Sequence, residues 1–259
     1  MVMGIVLAGG QGSRLRPLTY YFQKVMIPVG DVQKPLLEYV IRLMKYYEIK
    51  KIGILVNYKA DQIINYFNSG NRFGVELAYV FDPPKDLGSG SGVALYNAIK
   101  KLDIEETMLI YYGDILSNIN LGELLKFHKD HGAQITVALA KSFTVSVGVA
   151  EIEENGRITK FREKPTLEWP VNIGILAAEP SVKDVIEELL KTKKNIDISS
   201  DVIPTVIKKY GNVYGYVSDT WWYDVGSTEK FEKLKPETIN EKLGFLFKEK
   251  NQKDVPKIY

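Results

Sequence analysis

Over its first half the chain alternates short apolar runs with segments whose apolar residues recur at the helical period. Residues 4–8 (GIVLA), 51–56 (KIGILV), 75–81 and 107–111 (TMLIY) are short, apolar and rich in β-branched or aromatic residues, the pattern of buried strands. Between the first two, Leu36, Leu37, Val40, Ile41, Met44 and Tyr47 share one helical face. Ile63, Ile64 and Phe67 predict a second helix, Ala94, Leu95 and Ile99 a third, and residues 121–131 a fourth. Such alternation predicts an α/β fold with a Rossmann-like, mixed but mostly parallel sheet flanked by helices.

The texture changes near residue 134. Residues 134–140 and 147–161 read as consecutive strands, with Asn155-Gly156 supplying the positive-φ turn of a hairpin, and residues 171–177 add another strand. A helix over 181–191, a second after Ser199 and a strand over 213–218 follow. No linker rich in Pro, Gly or Ser separates the halves. The expected division is therefore one domain over residues 1–234 and a charged C-terminal helix, fraying into a tail, over 235–259.

With 45% hydrophobic residues, 259 residues can bury a substantial core. The 34 basic and 32 acidic residues are intermixed and sum to +2, so no broad field suits nucleic acid or a membrane surface, and anion binding has to be local. The absence of cysteine excludes disulfides and thiolate chemistry and fits a reducing compartment. No apolar stretch reaches the ~18 residues of a membrane span, and the start lacks a basic leader, so a cytoplasmic location is expected.

The run LAGGQGSRLRPLT, residues 7–19, places three glycines directly after a predicted strand and just before an arginine. A dinucleotide loop requires a sixth-position glycine where Leu15 stands, and a P-loop requires a Gly-Lys-Ser/Thr that does not occur. What remains is a turn whose backbone N–H groups at Gly10, Gln11 and Gly12 can approach a polyphosphate, with the planar fork of Arg14 beside them. A plain strand-to-helix turn with surface arginines is the alternative at this point.

The same run, followed by Lys24, Met26-Ile27-Pro28-Val29 and Lys34-Pro35-Leu36, resembles the amino-terminal signature of the sugar-1-phosphate nucleotidyltransferases. Residues 87–92 (LGSGSG), Gly113-Asp114, Glu163-Lys164-Pro165 and 222–227 (WYDVGS) are similar to later motifs of that family, in its order. Gln23 and Val25 flank the lysine where the family has proline, and Tyr112 stands where it commonly has asparagine. The resemblance implies nucleotide binding by Leu7, Ala8, Gly9, Gly10, Gly12, Ser13 and Gly88, and catalytic roles for Arg14 on the leaving phosphates and Lys24 on the α-phosphate. It further implies sugar-phosphate binding by Gly148, Glu163, Lys164 and Asn172 in a β-rich elaboration, and Mg²⁺ held by Asp114 and Asp224.

The partners so implied are a nucleoside triphosphate and a sugar-1-phosphate, with a homo-oligomer compatible. Glucose-1-phosphate with dTTP or UTP is the first expectation, and mannose-1-phosphate with GTP the alternative. A nucleotide-sensing regulatory subunit without catalysis is the reading from another class, and retention of Arg14, Lys24, Asp114, Lys164 and Asp224 argues against it. A metal-dependent glycosyltransferase calls for Asp-x-Asp, whereas Ile115 and Leu116 follow Asp114. Some relatives carry a C-terminal β-helix, which is not expected in this sequence. Trp221 and Trp222 are expected to pack. His128 and His131, three apart without a third ligand, are expected at the surface.

Overall fold

A computed structural model of the chain describes residues 1–145 and 147–248. After β1 (Val2–Leu7), a short hairpin of β2 (Pro28–Val29) and β3 (Lys34–Pro35) leads into α1 (Leu36–Tyr46). Further α/β steps follow: β4 (Lys51–Val56) with α2 (Ala60–Phe67), β5 (Glu76–Phe81) with α3 (Ser91–Lys101), and β6 (Thr107–Tyr112) with the short β7 (Ile115–Ser117) and α4 (Leu121–Asp130). The second half contains β8 (Ile135–Ala140), β9 (Phe143–Thr144), the hairpin β10 (Val149–Ile152) and β11 (Ile158–Arg162), β12 (Thr166–Leu167) and β13 (Val171–Ala178). Then come α5 (Val182–Leu190), a π-type turn (Ile198–Val202), α6 (Ile203–Tyr210), β14 (Val213–Ser218), β15 (Trp222–Asp224), α7 (Thr228–Lys233) and α8 (Pro236–Leu243).

The central sheet runs β14-β8-β13-β6-β1-β4-β5; β13 is antiparallel to both neighbours and every other pairing is parallel. The expected mixed, mostly parallel sheet is thus present. From β1 the chain first builds outward through β4 and β5, then returns to place β6 on the other side of β1. That reversal leaves a crevice at the carboxyl ends of β1 and β6, where open α/β sheets hold ligands.

Cores cover both faces. Leu37, Ile41 and Met44 of α1, Ile63 and Phe67 of α2, and Leu124 of α4 pack on one face. Leu95 and Ile99 of α3, Val185 and Ile186 of α5, and Val206 of α6 pack on the other. Each fully buried aliphatic side chain contributes about 1.5–3 kcal/mol. The β10–β11 hairpin lies outside this sheet and leaves Ile152, Ile158 and Phe161 exposed.

One sequence expectation changes. His128 is buried, because positions 121, 124, 125 and 128 form the inward face of α4; its ring bridges Thr136 Oγ1 at 2.8 Å and Glu179 Oε1 at 3.0 Å. His131 is exposed, as expected, and stacks on Phe127. The helix expected from residue 235 is α8, and its Ile239 and Leu243, with Leu246 beyond it, pack into the core. The tail expected at its end falls outside the described residues. Among the described residues no helix is long and apolar enough to cross a membrane.

Candidate active site

Beyond Leu7 the chain leaves the sheet as the glycine-rich loop and makes one tight turn at Ser13–Leu15. Gly12 takes φ 61°, and a Cβ there would lie 2.9 Å from Thr19 Cγ2 and 3.0 Å from Lys24 Cβ. Only glycine lets the loop close on the stem of Lys24. Thr19 Oγ1 donates to the Gly12 carbonyl at 2.9 Å. Buried Gln23 donates its amide to the carbonyls of Ala8 and, at 3.3 Å, Gly10, while its Oε1 accepts from Val25 N at 2.6 Å. Gln23, where the resembled family has proline, is therefore a latch on the loop.

A cavity of about 430 Å³ opens at the carboxyl end of the sheet. Leu7, Ala8, Gly9, Gly10, Gly12, Ser13 and Arg14 form one wall, and Lys24 and Asp114 stand in it as well. Asp114 is held there by the Gly113 N–H, which donates to the Leu7 carbonyl at 3.0 Å. Antiparallel pairing of β15 with β7 sets Asp224 opposite Ile115, and Val225 N donates to the Asp114 carbonyl at 3.0 Å. Two aspartates far apart in sequence so become neighbours. Gly226 lines the cavity, and a Cβ on it would meet both Asp224 carboxylate oxygens at 2.8 Å.

Each carboxylate has an ammonium partner: Lys24 donates to Asp114 Oδ2, and Lys230 to Asp224 Oδ2 at 2.6 Å. Among the described residues no group of three or more His, Cys, Asp or Glu side chains gathers as a metal cage. Asp114 lines the cavity, whereas Asp224 lies outside the lining beside it on the paired strand; two hard carboxylates so placed fit a divalent ion that completes its shell with phosphate and water, the habit of Mg²⁺.

On the α3 side the residues facing the cavity come two positions later than expected. Gly88 is buried outside the lining, whereas Gly90 and Ser91 line it. Gly90 takes φ 94°, and a Cβ would lie 2.3 Å from the Ile196 carbonyl. Ser91 Oγ donates to Asp197 Oδ2 at 2.6 Å and accepts from Ile198 N at 2.9 Å. Tyr112 is also in the lining, and burial pushes its hydroxyl pKa up while Ser91 and Ser199 act to lower it. Asn172 lies outside the cavity lining, and its Nδ2 donates to Ser199 Oγ at 3.4 Å.

Gly148, Glu163 and Lys164 lie outside the cavity lining. A Cβ on Gly148 would meet Glu163 Oε2 at 3.0 Å, so those two residues are adjacent, while the Lys164 ammonium stands 4.0 Å from Glu163 Oε1. Lys164 also borders α7. The Glu229 carboxyl is held below the usual range mainly by its hydrogen bond to Lys233, with the charge of Lys164 adding to the effect. Trp221 and Trp222 pack against the core, as expected.

Sequence reasoning missed Lys230 and Asp82. Lys230 has no motif of its own; the one local cue is Ser227, whose Oγ accepts from Lys230 N and starts α7. Asp82 precedes Pro83-Pro84 and reads as a turn residue, yet it lines the cavity, with Asn57 Nδ2 donating to its Oδ2 at 2.7 Å.

With this geometry in place, the chain matches the family described as nucleotidyl transferase over residues 3–241. It is 31% identical, over 88% of its length, to a UTP–glucose-1-phosphate uridylyltransferase of Synechocystis sp., covering 61% of that protein. It is 30% identical, over 89% of its length, to a mannose-1-phosphate guanylyltransferase of Mycobacterium tuberculosis, covering 62% of it. The chain thus spans a little under two thirds of the length of these relatives. The solved structure of HddC from Yersinia pseudotuberculosis superimposes with a TM-score of 0.69 at 21% identity, over 92% of this chain and 100% of that one, which is a likeness of fold.

Proposed function

The chain belongs to the nucleotidyl transferase family, and on that premise we propose that it makes a nucleotide-sugar and pyrophosphate from a nucleoside triphosphate and a sugar-1-phosphate, with glucose-1-phosphate and UTP or dTTP as the pair. The observation that carries the proposal is the convergence of Arg14, Lys24 and Asp114 on one cavity, with Asp224 beside Asp114 on the paired strand. The similarity to the Synechocystis uridylyltransferase supports the choice of pair.

In this reaction an oxygen of the sugar phosphate attacks the α-phosphorus, and the bond to the β-phosphate oxygen breaks. Both reactants are anions, so the protein's task is positioning and charge neutralisation. The glycine loop wraps the triphosphate, and the Arg14 fork binds the β- and γ-phosphates, stabilising pyrophosphate as it leaves. Lys24 neutralises charge on the α-phosphate. Lys164 holds the incoming sugar phosphate, and Glu163, with Gly148 beside it, accepts hydrogen bonds from sugar hydroxyls. Asn172 supports that side through Ser199. Asp114 and Asp224 would hold Mg²⁺, which supplies additional positive charge to the phosphates.

Asp82 favours a second reading, mannose-1-phosphate with GTP. A carboxylate only accepts hydrogen bonds, and guanine offers adjacent N–H donors, whereas uracil and thymine offer one N–H between two carbonyl oxygens. Pyrophosphate release over a matrix of triphosphates and sugar-1-phosphates with Mg²⁺ tests both. Turnover is expected with UTP or dTTP and glucose-1-phosphate; turnover confined to GTP with mannose-1-phosphate selects the second reading. Triphosphate binding without turnover for any pair overturns both in favour of a nucleotide sensor.

A further inference from the structure

Lys230 is held in a way that an incidental surface lysine is not. Its N–H donates to Ser227 Oγ at 3.3 Å, and its carbonyl accepts from the Tyr223 hydroxyl at 2.7 Å. Thr228 Oγ1, in the same turn of α7, donates to the carbonyls of Arg14 and Arg16, both at 3.3 Å. That turn is thereby tied to the glycine-loop segment that carries Arg14. From this anchored stem the ammonium reaches Asp224 Oδ2, as Lys24 reaches Asp114 Oδ2. Each of the two neighbouring aspartates is thus matched by one ammonium group.

We propose that Lys230 is a built-in counter-ion for Asp224, a positioning residue that the divalent ion must displace, so that ion and phosphate load together. The inference rests on the reading of Asp114 and Asp224 as ligands of that ion. An ion entering alone adds two positive charges beside two ammonium groups, with only two carboxylates to answer all four. Phosphate restores the balance, and the displaced ammonium is then free to face it. Coupling of this kind is reciprocal, so the ion tightens phosphate binding as much as phosphate tightens the ion.

The test is Mn²⁺ binding, followed by electron paramagnetic resonance, with and without inorganic pyrophosphate. Without pyrophosphate, Lys230→Met is expected to bind Mn²⁺ about fivefold more tightly than wild type, the scale of an exposed ion pair removed as competitor. Lys233→Met makes the same charge change on the same helix, where the partner is Glu229, and is expected to leave Mn²⁺ affinity unchanged; Lys230→Arg is expected to behave as wild type. Added pyrophosphate should tighten Mn²⁺ more in wild type than in Lys230→Met. Equal shifts in the two methionine variants, or no shift in either, overturn the proposal. Unchanged Mn²⁺ affinity in Asp224→Asn overturns the ligand reading and this inference together, whereas the expected Mn²⁺ results without turnover would refute only the proposed reaction.

Discussion

The glycine-loop wall of the cavity, proposed for the nucleotide, is built from latched loops against the core, whereas Gly148, Glu163 and Lys164, proposed for the sugar phosphate, flank an exposed hairpin. Gln23 is buried and ties two carbonyls of the glycine loop, and Gly12 closes against Thr19 and Lys24. Glu163 and Lys164 are about two-thirds exposed and pair loosely with each other at 4.0 Å. The difference separates two tasks. On the proposed function, the groups assigned to the triphosphate are preorganised by packing, while those assigned to the sugar are free to adjust without disturbing the core.

Substitutions can break this contrast, beginning with the largest expected effect. Asp114→Asn and Asp224→Asn should each lower kcat for pyrophosphate release by about 10² or more, as loss of a charge-stabilising group at a phosphoryl centre does; near wild-type rates in both would remove the two-carboxylate site. Next, Gln23→Ala should cost about 1–3 kcal/mol in urea unfolding, because loop carbonyls lose their donor. It should also raise the triphosphate KM, and an unchanged unfolding midpoint would show that the loop does not depend on its latch. Smallest in stability, Lys164→Ala should shift it by less than about 0.5 kcal/mol while raising the sugar-1-phosphate KM and leaving the triphosphate KM alone. A drop in melting temperature would mean that the hairpin is part of the cooperative core.

Much of the cavity wall is legible because strand, glycine turn and cation follow one another closely in the chain. Leu7 to Arg14 needs little beyond β1 and a turn to become a wall of the cavity. Asp114 was legible for the same reason, as an acid at the end of a buried strand. Gly88 was misplaced relative to the cavity because alternating glycines carry no register; the carbonyls of Lys194 and Ile196, far along the chain, decide which glycine faces inward. His128 defeated a surface assignment because its partners, Thr136 and Glu179, lie on other elements. Asp82 and Lys230 carried no motif, and only their neighbours in space give them meaning.

The sequence by itself determined the α/β alternation, the glycine loop and the identity of the charged groups, because periodicity and turn chemistry act over a few residues. The family resemblance implied that Asp224 stands near Asp114; only the tertiary structure decided how they meet and that Lys230 pairs with Asp224. Those relations follow from pairing β15 with β7 and anchoring α7 on the loop of Arg14. Hydrogen bonds between segments so distant along the chain form only once the sheet has closed around them.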